Sequence, residues 1–436
     1  MPAINSIIPL FNHLAHTQAM LASLRATIPA GLAHEIILID DFSTDGTRAW
    51  LATLDGVPHI KTLLSPHNQG YAKTNNRAAS VATGEVLALL NNDLLFEPGW
   101  LEPMLHTLQS PTLNAGLVGN VQYRVADGAL DHAGVRLNPN AQFDHIRTLA
   151  DDAPVHTRAL AATGACMLLR KTDFDAQGGF DEHFVNGCED IDLCLKLRAA
   201  GKAIVVANTS RIRHHVSLSR DVNTLHNERN SRHLFGRWRK VIKQELASQW
   251  VTLLQAGPNA YAGLLSGHLA TAFVSTPQAA ARVISEAMLL REEYRWARDL
   301  GEPDSNAGVA DRCTAQGLVY MPGLNGYAMS QDAEFAFTGL CSARNFYICG
   351  RSTVDLAKQP IAITITVNGI QTQTATLTTG RGVNVGIIDP ILLQGVPNHF
   401  QVKAHFVEQH GQRLGDANAA LVVTHIVIDD QVVSDL

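Results

Sequence analysis

Glu189, Asp190 and Asp192 place three carboxylates within four residues, directly ahead of an apolar helical pattern that runs to Arg198. Asp190 and Asp192 are two positions apart, so they cannot share one helical face. A helix N-terminus suits negative charge, because the macrodipole is positive there. This stretch alone reads equally well as a capped helix start or as a functional site. A second acidic position tips the balance: Asn91-Asn92-Asp93 directly follows an apolar strand well upstream. Carboxylates of this type can take a proton from an incoming hydroxyl, help worth roughly 10²–10⁴-fold.

The elements that must position these acids can be read from periodicity. Ile4 to Leu10, Glu35 to Ile39, Ile60 to Leu64 and Glu85 to Leu90 are short apolar runs. Between them, His16 to Arg25, Thr47 to Leu54 and Lys73 to Ala82 carry helical spacing, with Gly84 closing the last. This β-α-β-α-β-α-β alternation predicts an α/β fold with a parallel sheet covered on both faces. Ligands in open sheets of this kind sit beyond the carboxyl ends of the strands. Asn12, Asp40-Asp41, Asn68 and Asn91-Asn92-Asp93 all fall just after strands. One such cluster is ordinary turn chemistry, but four at one sheet edge favour a site.

Further on, the spacing predicts a helix over 98–109, strands over 116–123, 160–170 and 203–207, and a polar loop or β-excursion between 127 and 152. Gly164 would let something approach the backbone of its strand closely. A basic helix spans His226 to Gln249, with Arg229, Arg232, Arg237, Arg239, Lys240 and Lys243. It reads as a solvated face, or as a surface for an anionic ligand or a membrane. Helical spacing continues over 268–300, and 301–315 has linker composition. After residue 330, short strand-like runs alternate with turn signals, and Asn368-Gly369 marks a type I′ hairpin. That texture predicts a C-terminal β-sandwich-like domain. The expected organisation is a domain over 1–240, a helical connector and linker over 241–315, and a β-rich domain over 316–436.

The 436 residues suit roughly three domains. With 46% hydrophobic and 17% charged residues, each can bury a core. A net charge of −6 gives no basic field for nucleic acid, so a phosphate-bearing ligand needs a local solution such as a metal. The six cysteines are irregularly spaced and read as buried thiols in a reducing compartment. The first residues lack a signal-peptide pattern, and no apolar stretch reaches the ~20 residues of a membrane span. A soluble cytoplasmic protein is the expectation.

Asp40-x-x-Ser43-x-Asp45-Gly46-Thr47, Asn68-x-Gly70, Asn91-Asn92-Asp93, Gly179-Phe180-Asp181-Glu182 and Glu189-Asp190-x-Asp192-Leu193 occur in this order. The ordered set resembles glycosyltransferase family 2, and within it the rhamnosyltransferase-like enzymes that build bacterial O-antigens and other surface polysaccharides. The resemblance covers residues 1–240. It implies the Rossmann-like GT-A fold, with a nucleoside diphosphate sugar bound at the strand ends. It also implies roles for single residues. Pro9 and Phe11 would line the base pocket, Asp40 and Asp41 would bind base or ribose, and Asn68 and Asn92 would complete the nucleotide site. Asp93 would hold a divalent cation, Mn2+ or Mg2+, joined by His215 in preference to His214. Asp190 would be the base, with Glu189 beside the acceptor, and Gly164 and Asp192 near the acceptor or donor sugar. The family's DXD motif is reduced here to Asn91-Asn92-Asp93, which leaves one carboxylate for the metal.

These implications describe an inverting, metal-dependent transfer from a UDP- or dTDP-sugar to a glycan, lipid-linked or protein acceptor. A single base and in-line attack invert the sugar carbon. The basic helix allows a peripheral role at the inner face of a membrane. Two other readings compete. A nucleotidyltransferase needs a glycine- and Lys/Arg-rich loop where this chain has Pro9-Leu10-Phe11-Asn12-His13. A non-catalytic carbohydrate-binding protein would have little reason to keep both Asp93 and Asp190. Nothing in the sequence sets the oligomeric state.

Overall fold

The computed structural model describes residues 3–216, 225–261, scattered positions from 264 to 296, and the strands and short turns between 313 and 428. Two compact units emerge. The first comprises Met1–Leu137 and Phe143–Arg237, and the second Asn138–Gln142 and Trp238–Leu436.

The first unit opens with the expected alternation: β1 (Ile4–Leu10), α1 (Leu14–Thr27), β2 (His34–Asp40), α2 (Thr47–Ala52), β3 (Ile60–Leu64), α3 (Tyr71–Ser80) and β4 (Val86–Leu90). These strands lie parallel in the order β3-β2-β1-β4, with Ile7 opposite both Ile37 and Leu89. Both faces of β1, β2 and β4 are largely buried, which is why they read as continuous apolar runs, while the edge strand β3 is half-buried. Ile8 and Leu38 face α1 residues Met20 and Leu24. Their neighbours Ile7, Ile37 and Leu89 point the other way, toward Ala78 and Ala79 of α3.

The chain continues through β5 (Leu94–Phe96), α4 (Leu101–Gln109), β6 (Ala115–Arg124), β7 (Leu130–His132), β8 (Val135–Leu137), β9 (Phe143–His145) and β10 (His156–Arg158). Then come β11 (Cys166–Arg170), α5 (Lys171–Ala176), α6 (Glu189–Ala199), β12 (Ala203–His214) and α7 (Leu225–Ala256). β11 inserts antiparallel between β4 and β6, and β12 lies parallel to β6. The sheet is therefore mixed beyond β4. The 127–156 region is a β-excursion: β7 pairs with β6, β8 with β9, and β10 with β12. β12 runs past Ala207, where the sequence reading ends it, to pair with β5. Its extension alternates exposed Arg211 and Arg213 with buried Ile212, a half-buried pattern whose charges mimic a loop.

In the second unit, β13 (Cys313–Met321), β14 (Gly326–Phe337), β15 (Asn345–Ser352), β16 (Ile361–Val367), β17 (Gln371–Leu377), β18 (Gly382–Ile388), β19 (Asn398–Phe406) and β20 (Leu421–Ile428) are all antiparallel. They hydrogen-bond as one eight-stranded sheet, not two, in the order β17-β16-β19-β14-β20-β15-β18 with β13 on β14. The ends of this sheet approach each other, β18 against β16 and β17. One interior results, filled by Ile363, Ile365, Val385, Phe400, Val402 and Val423 among others. Asn368 and Gly369 have φ of 50° and 67°, as a type I′ turn requires. Most of the helical spacing expected over 268–300, and the linker over 301–312, lies outside the described residues. No helix among the described residues is long and apolar enough to cross a membrane.

Candidate functional site

The turns after β1 and β2 are laced together. Asn12 and His13 are left-handed, with φ of 59° and 58°. The Asn12 N–H donates to Ser43 Oγ (2.7 Å), and Asn12 Oδ1 accepts from the Thr44 N–H (2.8 Å). Asp45 Oδ2 accepts from the Leu14 N–H (3.1 Å), while its Oδ1 takes the Thr47 N–H and hydroxyl. Burial opposes ionisation of Asp45, but these donors hold its carboxyl below the usual range. Asn12 and Asp45 thus brace the edge on which a ligand would rest.

Asp40 needs a correction. It is fully buried, accepting from the Phe42 and Ser43 N–H groups and from Arg48 Nε at 2.7 Å. It shapes the turn and has no face left for a nucleotide. Asp41 accepts from the N–H groups of Gln69 (2.8 Å) and Gly70 (2.9 Å), joining the ends of β2 and β3 at 5% exposure. Asn68 is exposed beside it. The open apolar surface here is Phe11, Phe42 and Leu64, at 42%, 41% and 50% exposure, at or just past the ends of three neighbouring strands. Sequence reasoning missed Phe42. Its φ of 72° holds it in the left-handed region, and the Arg48 guanidinium lies 4.8 Å from its ring centre. An aromatic directly after Asp40-Asp41 was the available signal.

After β4, Asn92 Nδ2 donates to Thr17 Oγ1 (2.9 Å), fixing this turn to α1. Asp93 is 8% exposed. Its Oδ1 is buried without a hydrogen-bond donor and lies 3.3 Å from His214 Nε2. That separation is an electrostatic contact whose geometry falls short of a hydrogen bond. The family resemblance favours His215. In the structure the His215 N–H donates to the Asp93 carbonyl (3.1 Å), and its ring packs edge-on against His16, 4.6 Å between centroids. Burial and His16 push the His215 imidazole below its usual range, with Asp93 opposing. Among the described residues no three His, Cys, Asp or Glu side chains are grouped to hold a metal ion. Asp93 and His214 form a pair, and the undonated carboxylate oxygen is what a cation would satisfy.

The Asn91 N–H donates to the Ala165 carbonyl (2.9 Å), which ties the turn of Asp93 to the start of β11. One residue earlier, the Gly164 N–H donates to Asp190 Oδ2 at 2.8 Å. Tyr71 Oη donates to the Gly164 carbonyl at 2.7 Å. Gly164 is buried, and a Cβ there would meet Tyr71 Oη at 3.3 Å and Asp190 Cβ at 3.4 Å. The close approach expected at Gly164 is made by Tyr71 and Asp190. Asp190 itself stays partly exposed in the first turn of α6, and Glu189 is buried, accepting the Gly187 N–H at 2.6 Å. Asp192 is fully buried, 3.0 Å from Lys196 Nζ and 3.4 Å from Arg237 Nε. It is a structural ion-pair residue, and the expectation that it faces a sugar is withdrawn. Tyr71, which no motif announced, is the residue sequence reasoning missed here.

Residues 6–176 match the family model described as Glycosyl transferase family 2. The matched segment runs from β1 to α5, and over that length the chain is similar to this family. Over 231 aligned residues the chain is 32% identical to the uncharacterized protein y4gI of Sinorhizobium fredii, covering 50% of this chain and 25% of that protein. The O-antigen biosynthesis protein RfbC of Myxococcus xanthus is 31% identical over 201 residues, 44% of this chain and 16% of that one. Human polypeptide N-acetylgalactosaminyltransferase 16 is 27% identical over 231 residues, 49% of this chain and 40% of that one. The chain thus spans less than half the length of these relatives. Among solved structures, GalNAc-T7 with UDP, GalNAc and Mn2+ is similar at a TM-score of 0.47 and 14% identity, over 78% of this chain and 66% of that one. The mannosyltransferase PcManGT from Pyrobaculum calidifontis, with GDP-Man and Mn2+, scores 0.39 at 18% identity, over 71% and 79%. At such scores neither transfers a ligand or a residue role to this chain.

Proposed function

We propose that this protein is an inverting glycosyltransferase. It moves a sugar from a nucleoside diphosphate sugar, UDP- or dTDP-linked, to a hydroxyl of a glycan or lipid-linked acceptor in surface polysaccharide synthesis. The observation that carries this reading is the pairing of two acids at one sheet edge. Asp190 is aimed by Gly164 just before β11, and Asp93 follows the neighbouring β4.

In this mechanism Phe11 and Phe42 offer apolar faces to the base, and the braced turns of Asn12 and Asp41 hold the ribose end. Asp93 and His214 would hold a divalent cation, which when bound offsets charge on the departing diphosphate. The Gly164 N–H fixes Asp190 Oδ2 and the Ile191 N–H (2.8 Å) steadies Oδ1, whose second lone pair accepts the acceptor hydroxyl proton. Attack then comes from the face opposite the leaving group, and one base suffices. Glu189 is held back by Gly187 and supports the turn beside the acceptor.

The test is a panel of nucleotide sugars with Mn2+, Mg2+ or chelator, on the wild type and Asp190→Asn. The substitution keeps an oxygen for the Gly164 N–H but removes the base, so turnover should fall roughly 10²–10⁴-fold with donor binding intact. A folded protein that binds no nucleotide sugar sinks the reading and favours a non-catalytic carbohydrate-binding role.

A further inference from the structure

We propose that α7 is a positioning element for the base, acting through Arg237 and Asn230 on the turn 181–188. The proposal rests on the reading of Asp190 as base. The turn that delivers Glu189 and Asp190 is strained: Asn186, Gly187 and Cys188 have consecutive φ values of 52°, 154° and 72°. Non-glycine residues stay in the left-handed region only where their surroundings over-determine them.

α7 grips the residues on either side of these three. The Asn230 side chain accepts from the Val185 N–H (3.3 Å) and donates to the Val185 carbonyl (2.9 Å). Arg237 Nη1 lies 2.5 Å from Asp181 Oδ2, and its Nε 3.4 Å from Asp192 Oδ1. Asp181 stands before the strained turn and Asp192 after the base, so one guanidinium ties both flanks. The His233 ring stacks on His183, 4.9 Å apart and 17° from parallel, and approaches Asp181 at 3.5 Å. From the opposite side, Asn186 Oδ1 accepts the Tyr71 N–H (3.0 Å). A helix whose basic residues read as a solvated or membrane-facing surface spends Arg237, itself 38% exposed, on two acids of its own unit. Neither Arg237 nor Asn230 belongs to the nucleotide edge or the Asp93 turn. Each acts through the geometry of Asp190.

The experiment uses the full chain with Arg237→Ala, Asn230→Ala and Arg237→Lys. Two quantities are read: kinetics with a turned-over nucleotide sugar, and amide hydrogen exchange of residues 186–190. In Arg237→Ala and Asn230→Ala, kcat should fall about tenfold or more with donor KM nearly unchanged. Exchange at 186–190 should speed up while β1–β4 stays protected. Arg237→Lys, which keeps the charge between Asp181 and Asp192, should recover part of both. Unchanged exchange at 186–190, uniform acceleration across the unit, or a loss confined to KM would overturn the proposal. The exchange arm needs no catalysis. A wild type that turns over no nucleotide sugar therefore overturns the reading of Asp190 as base, while the hold of α7 on the turn is still decided by exchange.

Discussion

Gly164 donates its N–H to Asp190 Oδ2 at 2.8 Å, and on its other side its carbonyl accepts the Tyr71 hydroxyl at 2.7 Å. Asp190, the proposed base, is thereby aimed by a backbone group that the half-buried Tyr71 holds in place. Burial, with Glu189 and Asp190 nearby, pushes the Tyr71 phenol well above its usual range, so it stays a donor at any working pH.

Tyr71→Phe leaves the Gly164 carbonyl buried without that donor, which costs about 1–3 kcal/mol. Turnover should drop about tenfold while nucleotide affinity holds. Wild-type kcat in a Phe variant of lowered melting temperature would separate Tyr71 from the base.

Gly164→Ala sets a methyl 3.3 Å from Tyr71 Oη and 3.4 Å from Asp190 Cβ. Both neighbours must yield by a few tenths of an ångström, an overpacking cost of about 1 kcal/mol. Because the yielding groups are the base and its support, kcat should suffer more than stability. A KM effect alone, measured for donor and acceptor separately, would point back to a sugar contact.

Asp192→Asn removes the charge facing Lys196 and Arg237 inside the unit. Breaking a buried pair by deleting one partner costs about 3 kcal/mol. Arg237 is 38% exposed, so part of its loss is relieved by water. Chemical denaturation should show the loss, and activity per folded molecule should change less than in Arg237→Ala.

Asp93→Asn keeps the size of the side chain and removes the charge that a cation would meet. Half-saturation by Mn2+ or Mg2+ in the turnover assay should move to higher metal concentration, with nucleotide binding in chelator unaffected. Identical metal curves for wild type and variant would place the cation elsewhere.

Acid should loosen the turn 181–188 through Asp181. Burial opposes its ionisation, but the His183 N–H, the His233 ring, Arg237 and Lys196 outweigh it and hold the carboxyl below the usual range. A folded-state value below the unfolded one stabilises above the unfolded carboxylate range near pH 4, and that support is lost as pH falls through the folded value. The melting difference between wild type and Asp181→Asn should therefore be largest near neutrality and shrink between about pH 4 and pH 2. A difference that is flat with pH would remove Asp181 from this role.

Much of the fold could be read because period and burial agree. Ile7 and Ile8 serve opposite faces of one sheet, and a strand buried on both sides has no other pattern available. The acids at Asp93 and Asp190 stood out because they interrupt apolar runs. Asp40 and Asp192 carried the same signal, yet both are consumed by internal pairs. A sequence shows that a carboxylate is present but not what faces it. His214 was passed over for His215 because one step along a strand end decides which imidazole meets Asp93. Tyr71 was invisible for a related reason: its partner Gly164 is remote in sequence and offers only a backbone carbonyl. The length of β12 was hidden by Arg211 and Arg213, which alternate with Ile212 as an edge would.

The insertion of β11 against β4 pairs Cys166 with Leu90, two segments far apart in the chain. Such pairings must wait for a long loop to close. The first four strands are neighbours in sequence and can associate as they leave the ribosome. The base cannot be aimed until β11, α6 and finally α7 have emerged. Synthesis thus completes the strand ends around Asn12, Asp41 and Asp93 well before the turn of Asp190. A nascent chain halted at residue 176 holds those strand ends, Tyr71 and Gly164, but lacks Asp190 and the helix that steadies its turn.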